Sequence, residues 1–220
     1  MRFTMPDSSD GMGLKGSLDV YVNGQYKQTI DLTSYFMWQY FASGNPSDNN
    51  DGGAPCFAFD EVHFKLDNSL KKGDTIRIQS SGANALEYGV DFLEIEDVPD
   101  EIAQPDNSLN VEDFGAVPDD GQDDYDAIYR CIEEADRSNM DVYIPAGTFE
   151  IGQVWRLYGS NMKITGAGMW DTNIQFTNPD AGGGGISGGW QTSGSKDGYC
   201  NNIEFCNMYI NSNLRSRYNQ

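Results

Sequence analysis

Histidine is almost missing from this sequence: His63 stands alone in 220 residues. A single imidazole cannot complete a Cys/His zinc set, and the cysteines Cys56, Cys131, Cys200 and Cys206 contain no C-x-x-C pair. Cys200 and Cys206 flank the run Asn-Asn-Ile-Glu-Phe. Extended at roughly 3.3 Å per residue, that run holds the two sulfurs too far apart to bridge. The cysteines therefore read as buried free thiols. Basic residues are also scarce, 14 Lys and Arg against 34 Asp and Glu, for a formal net charge of −20. Such a surface repels phosphate backbones and excludes nucleic acid as a partner. It suits a protein acting on neutral substrates, or one binding Ca²⁺, and it also serves solubility alone. No apolar run approaches the ~18 residues of a membrane span, so no membrane partner is expected. The opening Met1-Arg2-Phe3-Thr4-Met5-Pro6-Asp7 lacks the apolar stretch of a signal peptide. Either the chain is cytoplasmic or its native start lies upstream of Met1. No feature specifies a protein partner.

What is present reads as β structure. Gly occurs 25 times, and Asn, Asp and Ser recur between short apolar runs, with 38 % hydrophobic residues in all. The strand-like pieces Leu18–Val22, Gln25–Leu32, Phe57–Leu66, Thr75–Gln79 and Tyr88–Glu96 precede a Pro- and acid-rich seam, with Asn23-Gly24 as a hairpin turn and Lys71-Lys72-Gly73-Asp74 as another. Short strands at this spacing predict an antiparallel β-sandwich over 1–98, followed by a linker over 99–106. The grammar then changes. Val111–Ala116 reads as a strand entering a turn, and Asp123 or Asp124 as the N-cap of a helix. Ala127, Ile128, Cys131, Ile132 and Ala135 form that helix's apolar face, and Ser138-Asn139 ends it. Val142–Ile151 follows as strand, turn, strand. Short strands then recur at Met162–Ile164, Ile174–Phe176, Ile203–Phe205 and Met208–Ile210, several of them 20 to 30 residues apart as in a solenoid, roughly the period of one coil.

The ordered set Val111-Glu112-Asp113-Phe114-Gly115-Ala116, the helix, Val142-Tyr143-Ile144-Pro145-Ala146-Gly147-Thr148-Phe149 and Ile164-Thr165-Gly166-Ala167-Gly168 resembles the cap and first rungs of pectate-lyase-superfamily proteins. The resemblance implies a right-handed parallel β-helix over 107–220, incomplete at Gln220, with the helix covering its open end and glycines at tight corners. Phe3–Ser8, Leu18–Gly24, Asp31–Ser34, Phe59-Asp60-Glu61-Val62 and Tyr88–Glu96 resemble the β-sandwich that precedes the β-helix in glycoside hydrolase family 87, the α-1,3-glucanase/mycodextranase group. In that family the sandwich opens with strands upstream of the segment matching Met1. A His pair often stands where this chain has Cys56-Phe57-Ala58, and the catalytic aspartates lie on later rungs.

Glycosidases need two carboxyl groups about 5–9.5 Å apart, a spacing that stacked rungs about 4.8 Å apart supply readily. Glu150, Asp171 and Glu204 are the acids to test, and each reads as a solvated surface residue. No catalytic residue is assigned. Asp119–Asp124 and Asp48–Gly52 both fail the EF-hand pattern and read as turns. Gly182–Gly185 lacks the Lys-Ser/Thr of a phosphate loop. Asp91, in Val90-Asp91-Phe92-Leu93-Glu94-Ile95, resembles the aspartate that binds structural Ca²⁺ in carbohydrate-binding sandwiches, which makes it the one metal candidate; no cofactor is required. Trp38 and Tyr40, in the aromatic run Tyr35–Phe41, are the candidate substrate-binding residues, while Trp155, Trp170 and Trp190 read as core. The resemblance implies the N-terminal part of a secreted hydrolase of α-1,3-glucan, its polysaccharide partner, with no turnover in this chain alone and an open solenoid end that self-associates. A non-catalytic carbohydrate-binding module and a pectate lyase or other polysaccharide depolymerase are the alternatives.

Overall fold

The computed structural model describes residues 1–8, 13–41, 54–67, 69–81, 86–157, 159–179, 184–188 and 200–212; the side chains of 39–41, 54 and 55 are not among them. The polar loop at 45–53, Gly182 and Gly183 of the Gly182–Gly185 run, and Trp190 lie outside the described residues. The described residues are mostly strands, with one α-helix and one 3₁₀ turn, and the chain divides into two compact units with the boundary between Asp97 and Val98.

In the first unit, β1 (Arg2–Thr4) lies between β6 (Asp60–Glu61) and β8 (Gly89–Phe92), antiparallel to both. A second antiparallel sheet sets β2 (Lys15–Val22) between β3 (Gln25–Thr33) and β7 (Ile76–Ser80). A third pairs β4 (Trp38–Phe41) with β5 (Ala54–Phe57). Alternation along these strands sends Phe3, Leu18, Val20, Ile30 and Leu32 into one core with Met1, Met5 and Met37. The β2–β3 turn takes positive φ at both Asn23 and Gly24, as a two-residue hairpin requires. The Asn23 side chain then accepts from Thr75 N and donates to Asp74, tying this hairpin to the next turn.

Two expected strands are shorter than their apolar alternation suggests. Within Phe57–Leu66 only Phe57 and Asp60–Glu61 lie in strands, and Tyr88–Glu96 contracts to Gly89–Phe92. The reason is the partner: β1 offers three residues to pair with, so neither neighbour can extend its ladder. Val62, Phe64 and Leu66 still pack on the core from irregular backbone.

The second unit is a stack of parallel coils. One sheet runs β9 (Ser108–Asn110), β10 (Asp141–Ile144), β13 (Ser160–Gly166) and β16 (Asn201–Cys206). A second runs β11 (Gly147–Ile151), β14 (Thr172–Phe176) and β17 (Tyr209–Ser212). The third pairs β12 (Trp155–Leu157) with β15 (Ile186–Gly188). In-register inward columns fill the interior: Val142, Ile164 and Phe205 on one wall, and Phe149 and Ile174 on another. Trp155 is fully buried and meets Phe205 edge-on at 5.5 Å. Residues 22 apart, Asp141 and Lys163, occupy equivalent places on the first coil, whereas Thr165 and Cys206 are 41 apart on the next. The later coil is therefore longer than the 20 to 30 residues that separate several of the strands read from the sequence.

Helix α1 (Tyr125–Ser138) closes one end of this interior and buries Ala127, Ile128, Cys131, Ile132 and Ala135, the face expected from the sequence. Burial pushes the Cys131 thiol up to about 12, so it stays protonated and inert. Asn139 in the left-handed region ends the helix. Two expectations change. Val111–Phe114 is a 3₁₀ turn, not a strand, because Asn110 caps it from Glu112 N and Gly115 at φ 98° stops it. Asp124 occupies the N-cap without capping by its side chain. Its carboxylate accepts from Val117 N and Glu150 N instead, while Asp123 accepts from Tyr125 N. The seam is irregular but anchored: Ile102 N donates to Ala167 O, and Tyr143 Oη donates to Ile102 O at 2.7 Å.

A Cβ at Gly166 would stand 2.2 Å from the Asn207 carbonyl oxygen of the next coil. Gly166→Ala is therefore expected to cost about 1–3 kcal/mol, read as a lowered Tm. Burial holds Asp124 above the ordinary carboxylate value of 3.8 despite its amide donors, with Asp120 and Asp123 adding to the effect. Its folded-state proton uptake thus stabilises most below 3.8, and that contribution is lost as pH rises through the raised value. The stability gap between the chain and Asp124→Asn should shift in favour of the chain as pH falls from about 7 to about 4, measured by urea unfolding.

Candidate functional site

On the second unit the outward positions are what a substrate would meet. Asp141, Lys163 and Glu204 form one such column, because β10, β13 and β16 pair in register. Lys163 Nζ lies 3.2 Å from Glu204, and Lys163 N donates to Asp141 Oδ1 at 2.8 Å. The hydrogen bond it donates to the Glu204 carboxylate, with the neighbouring Cys206 and the charge of Glu204, holds the Lys163 ammonium above its ordinary value. Asp141 and Glu204 are thus separated by a cation and do not act as an acid and base across an open gap. Glu150 stands opposite Gln175, so its neighbour on the adjoining coil carries no carboxyl. Asp171 sits at the Gly166–Thr172 corner, where its carbonyl accepts from Gly147 N. The structure does not bring Glu150, Asp171 and Glu204 together.

On the first unit the candidate residues fall on an aromatic surface. The Trp38 ring lies 5.2 Å from Phe57, and Phe57 lies 5.4 Å from Phe59. The Arg2 guanidinium sits over Phe59 at 4.8 Å and reaches Phe92 at 6.0 Å. Phe57, Phe59 and Phe92 are each more than two-fifths exposed, whereas Trp38 leans on the core and donates Nε1–H to Met5 O. Tyr40 lies on β4, but its side chain is outside the described residues. Sequence reading singled out Trp38 and Tyr40 and passed over Phe57 and Phe59. The signal was available in the alternation Phe57-Ala58-Phe59, which places two rings on one side of an extended segment. Cys56 is exposed rather than buried, on a strand that pairs only with β4 among the described strands; Cys131 is buried, and Cys200 and Cys206 are half-buried.

Asp91 faces Arg2, with Oδ2 3.6 Å from the guanidinium Nε. Among the described residues no three His, Cys, Asp or Glu side chains converge as a metal site would need. A guanidinium where Ca²⁺ would want a second carboxylate makes this donor set a poor fit for the ion. Asp119, Asp123 and Asp124, read as turn and cap residues, spend their carboxylates on backbone amides.

Comparison with known families and structures places both units. The family model for the α-1,3-glucanase catalytic domain D1 matches residues 1–98, and that for rhamnogalacturonase A/epimerase, pectate lyase-like, matches residues 108–218. No curated protein matches the chain. The chain is similar to the crystal structure of the Agl-KA catalytic domain at 56 % identity and TM-score 0.81, over 99 % of this chain and 37 % of that one. It shares its fold with the catalytic unit of a thermostable family 87 α-1,3-glucanase from Streptomyces thermodiastaticus strain HF3-3, at 22 % identity and TM-score 0.67, over 99 % and 34 %. It also shares it with a family 87 α-1,3-glucanase catalytic domain in complex with tetrasaccharides, at 22 % identity and TM-score 0.62, over 97 % and 42 %. The chain thus spans less than half the length of each of these structures.

The Arg2–Asp91 pairing has a direct consequence. Calcium at millimolar concentration is expected to leave the Tm of the chain unchanged relative to chelator; a rise that Asp91→Asn abolishes would show the ion bound there.

Proposed function

The chain belongs to the rhamnogalacturonase A/epimerase, pectate lyase-like family and is glycoside-hydrolase-family-87-like, and from that premise we propose that it is the N-terminal part of a secreted enzyme hydrolysing α-1,3-glucan. The observation that carries the reading is the 56 % identity to a catalytic domain across 99 % of the chain, with the glucanase-type and pectate-lyase-like segments in the same order. In this reading residues 1–98 form a carbohydrate-binding-type β-sandwich, 99–106 the linker, and 107–220 the first rungs of a right-handed parallel β-helix. The work of this segment is to start the coil stack and hold its register. Each added coil advances about 4.8 Å, so carboxylates two coils apart on a later face reach the separation that inversion requires. The described coils carry Lys163 between their aligned acids, and hydrolysis therefore belongs to residues outside this chain.

A second reading, glycan binding without cleavage, draws on the row Trp38, Phe57 and Phe59. Exposed rings stack on the apolar faces of pyranoses, and Trp38 would lie at one end of such a surface. Uronate lyase chemistry is the weaker relative, because the visible coils are poor in the basic groups that polygalacturonate would engage.

One assay separates these. The full-length protein is expected to release reducing sugar from α-1,3-glucan, and this chain alone to release none. Turnover by the chain alone would defeat the assignment of catalysis to residues beyond it. Unsaturated ends from polygalacturonate would select the lyase. Retention on insoluble glucan that Phe57→Ala and Phe59→Ala remove, without any release, would select binding.

A further inference from the structure

Among the described strands, β11 has a neighbour, β14, on one edge only. Its other edge presents the N–H and C=O of Thr148 and Glu150 and the N–H of Gly152, and a bare edge of this kind is a template for pairing with another chain. Residues 117–124 occupy it group by group. Asp119 N donates to Thr148 O at 2.8 Å, while Thr148 N donates to Asp119 Oδ1 at 3.0 Å. Asp124 N donates to Glu150 O at 2.8 Å, while Glu150 N donates to Asp124 Oδ2 at 3.1 Å. Gly152 N donates to Asp123 Oδ1 at 3.2 Å. Carboxylates thus stand where the carbonyls of an adjoining strand would stand, and a carboxylate accepts without offering a further edge.

Two glycines let the loop lie this close. A Cβ at Gly147 would fall 2.4 Å from Pro118 Cβ, and one at Gly152 would fall 2.8 Å from Asp123 Oδ2. The loop's negative charge adds repulsion toward an approaching acidic chain. We propose that residues 117–124 form an edge guard, which ends the hydrogen-bond ladder of the first coil and so prevents β11 from pairing with the same strand of a second copy. The guard is local: it takes nothing from the β11–β14 ladder, whose bonds run from the other edge.

The test compares Asp119→Ala/Asp123→Ala with Asp119→Asn/Asp123→Asn, since asparagine keeps one carbonyl acceptor at each place. Amide hydrogen exchange is followed at Thr148 and Gly152 and across β14, and mass is followed by light scattering against the parent chain. The alanine pair is expected to exchange at least about tenfold faster at Thr148 and Gly152 with β14 unchanged, and to gain mass. The asparagine pair should stay near the parent in both. Unchanged exchange in the alanine pair overturns the proposal, as does an equal acceleration throughout β14, which would mark global loss of stability. Local acceleration with no gain in mass overturns it too, because the freed edge would then be harmless.

Discussion

Each coil of the second unit leaves its backbone half unsatisfied, and the rest of the structure follows from how that deficit is met. A strand in a parallel stack satisfies one edge with the coil before it and the other with the coil after it. Along the middle of the stack this is automatic: β10 lies between β9 and β13, and β14 lies between β11 and β17. The difficulty concentrates at the first coil. There the apolar interior is closed by α1, whose five buried residues face Val142 and Ile144 across the same core. The seam adds a second closure, with Ile102 held between Tyr143 and Ala167 on the outside of the four-stranded sheet. Cap, seam and aspartate loop are three answers to one problem.

That view changes the meaning of the acidic composition. The formal charge of −20 invites a search for metal or catalytic carboxylates. Many of the aspartates instead serve as backbone acceptors: Asp119, Asp123 and Asp124 for β11, Asp136 for Ser160 N, and Asp141 for Lys163 N. A carboxylate does this better than an amide side chain because both oxygens accept, and Asp124 uses both. In the column of Asp141 and Lys163, Glu204 is held by the Lys163 ammonium instead.

Much of the architecture was legible, and the failures have physical causes. Helix α1 could be read because its apolar face repeats at the helical period and needs no distant partner to define it. The Asn23-Gly24 hairpin could be read because the turn requires positive φ at two successive residues. The 3₁₀ turn at Val111–Phe114 was taken for a strand although its apolar residues, Val111 and Phe114, stand three apart as in a 3₁₀ turn; the deciding contact is the local cap by Asn110. The length of the later coil was not legible at all, because only the register of β13 with β16 reveals the count between equivalent places. In the candidate site, Trp38 was chosen as the most conspicuous aromatic, yet its indole N–H is committed to Met5 O and the exposed rings are Phe57 and Phe59.

By itself the sequence determined the β character, the helix and its buried face, the tight corners at Gly147 and Gly166, and the kinship of both segments with family 87. Those are properties of local period and of motif order, carried within a few residues. Only the tertiary structure decided which acids face which amides, that Lys163 stands between Asp141 and Glu204, that Asp91 meets Arg2, and how many residues separate β13 from its partner place on β16. Each of these depends on register between strands distant in sequence. A shift of one residue in that register would turn every outward side chain inward.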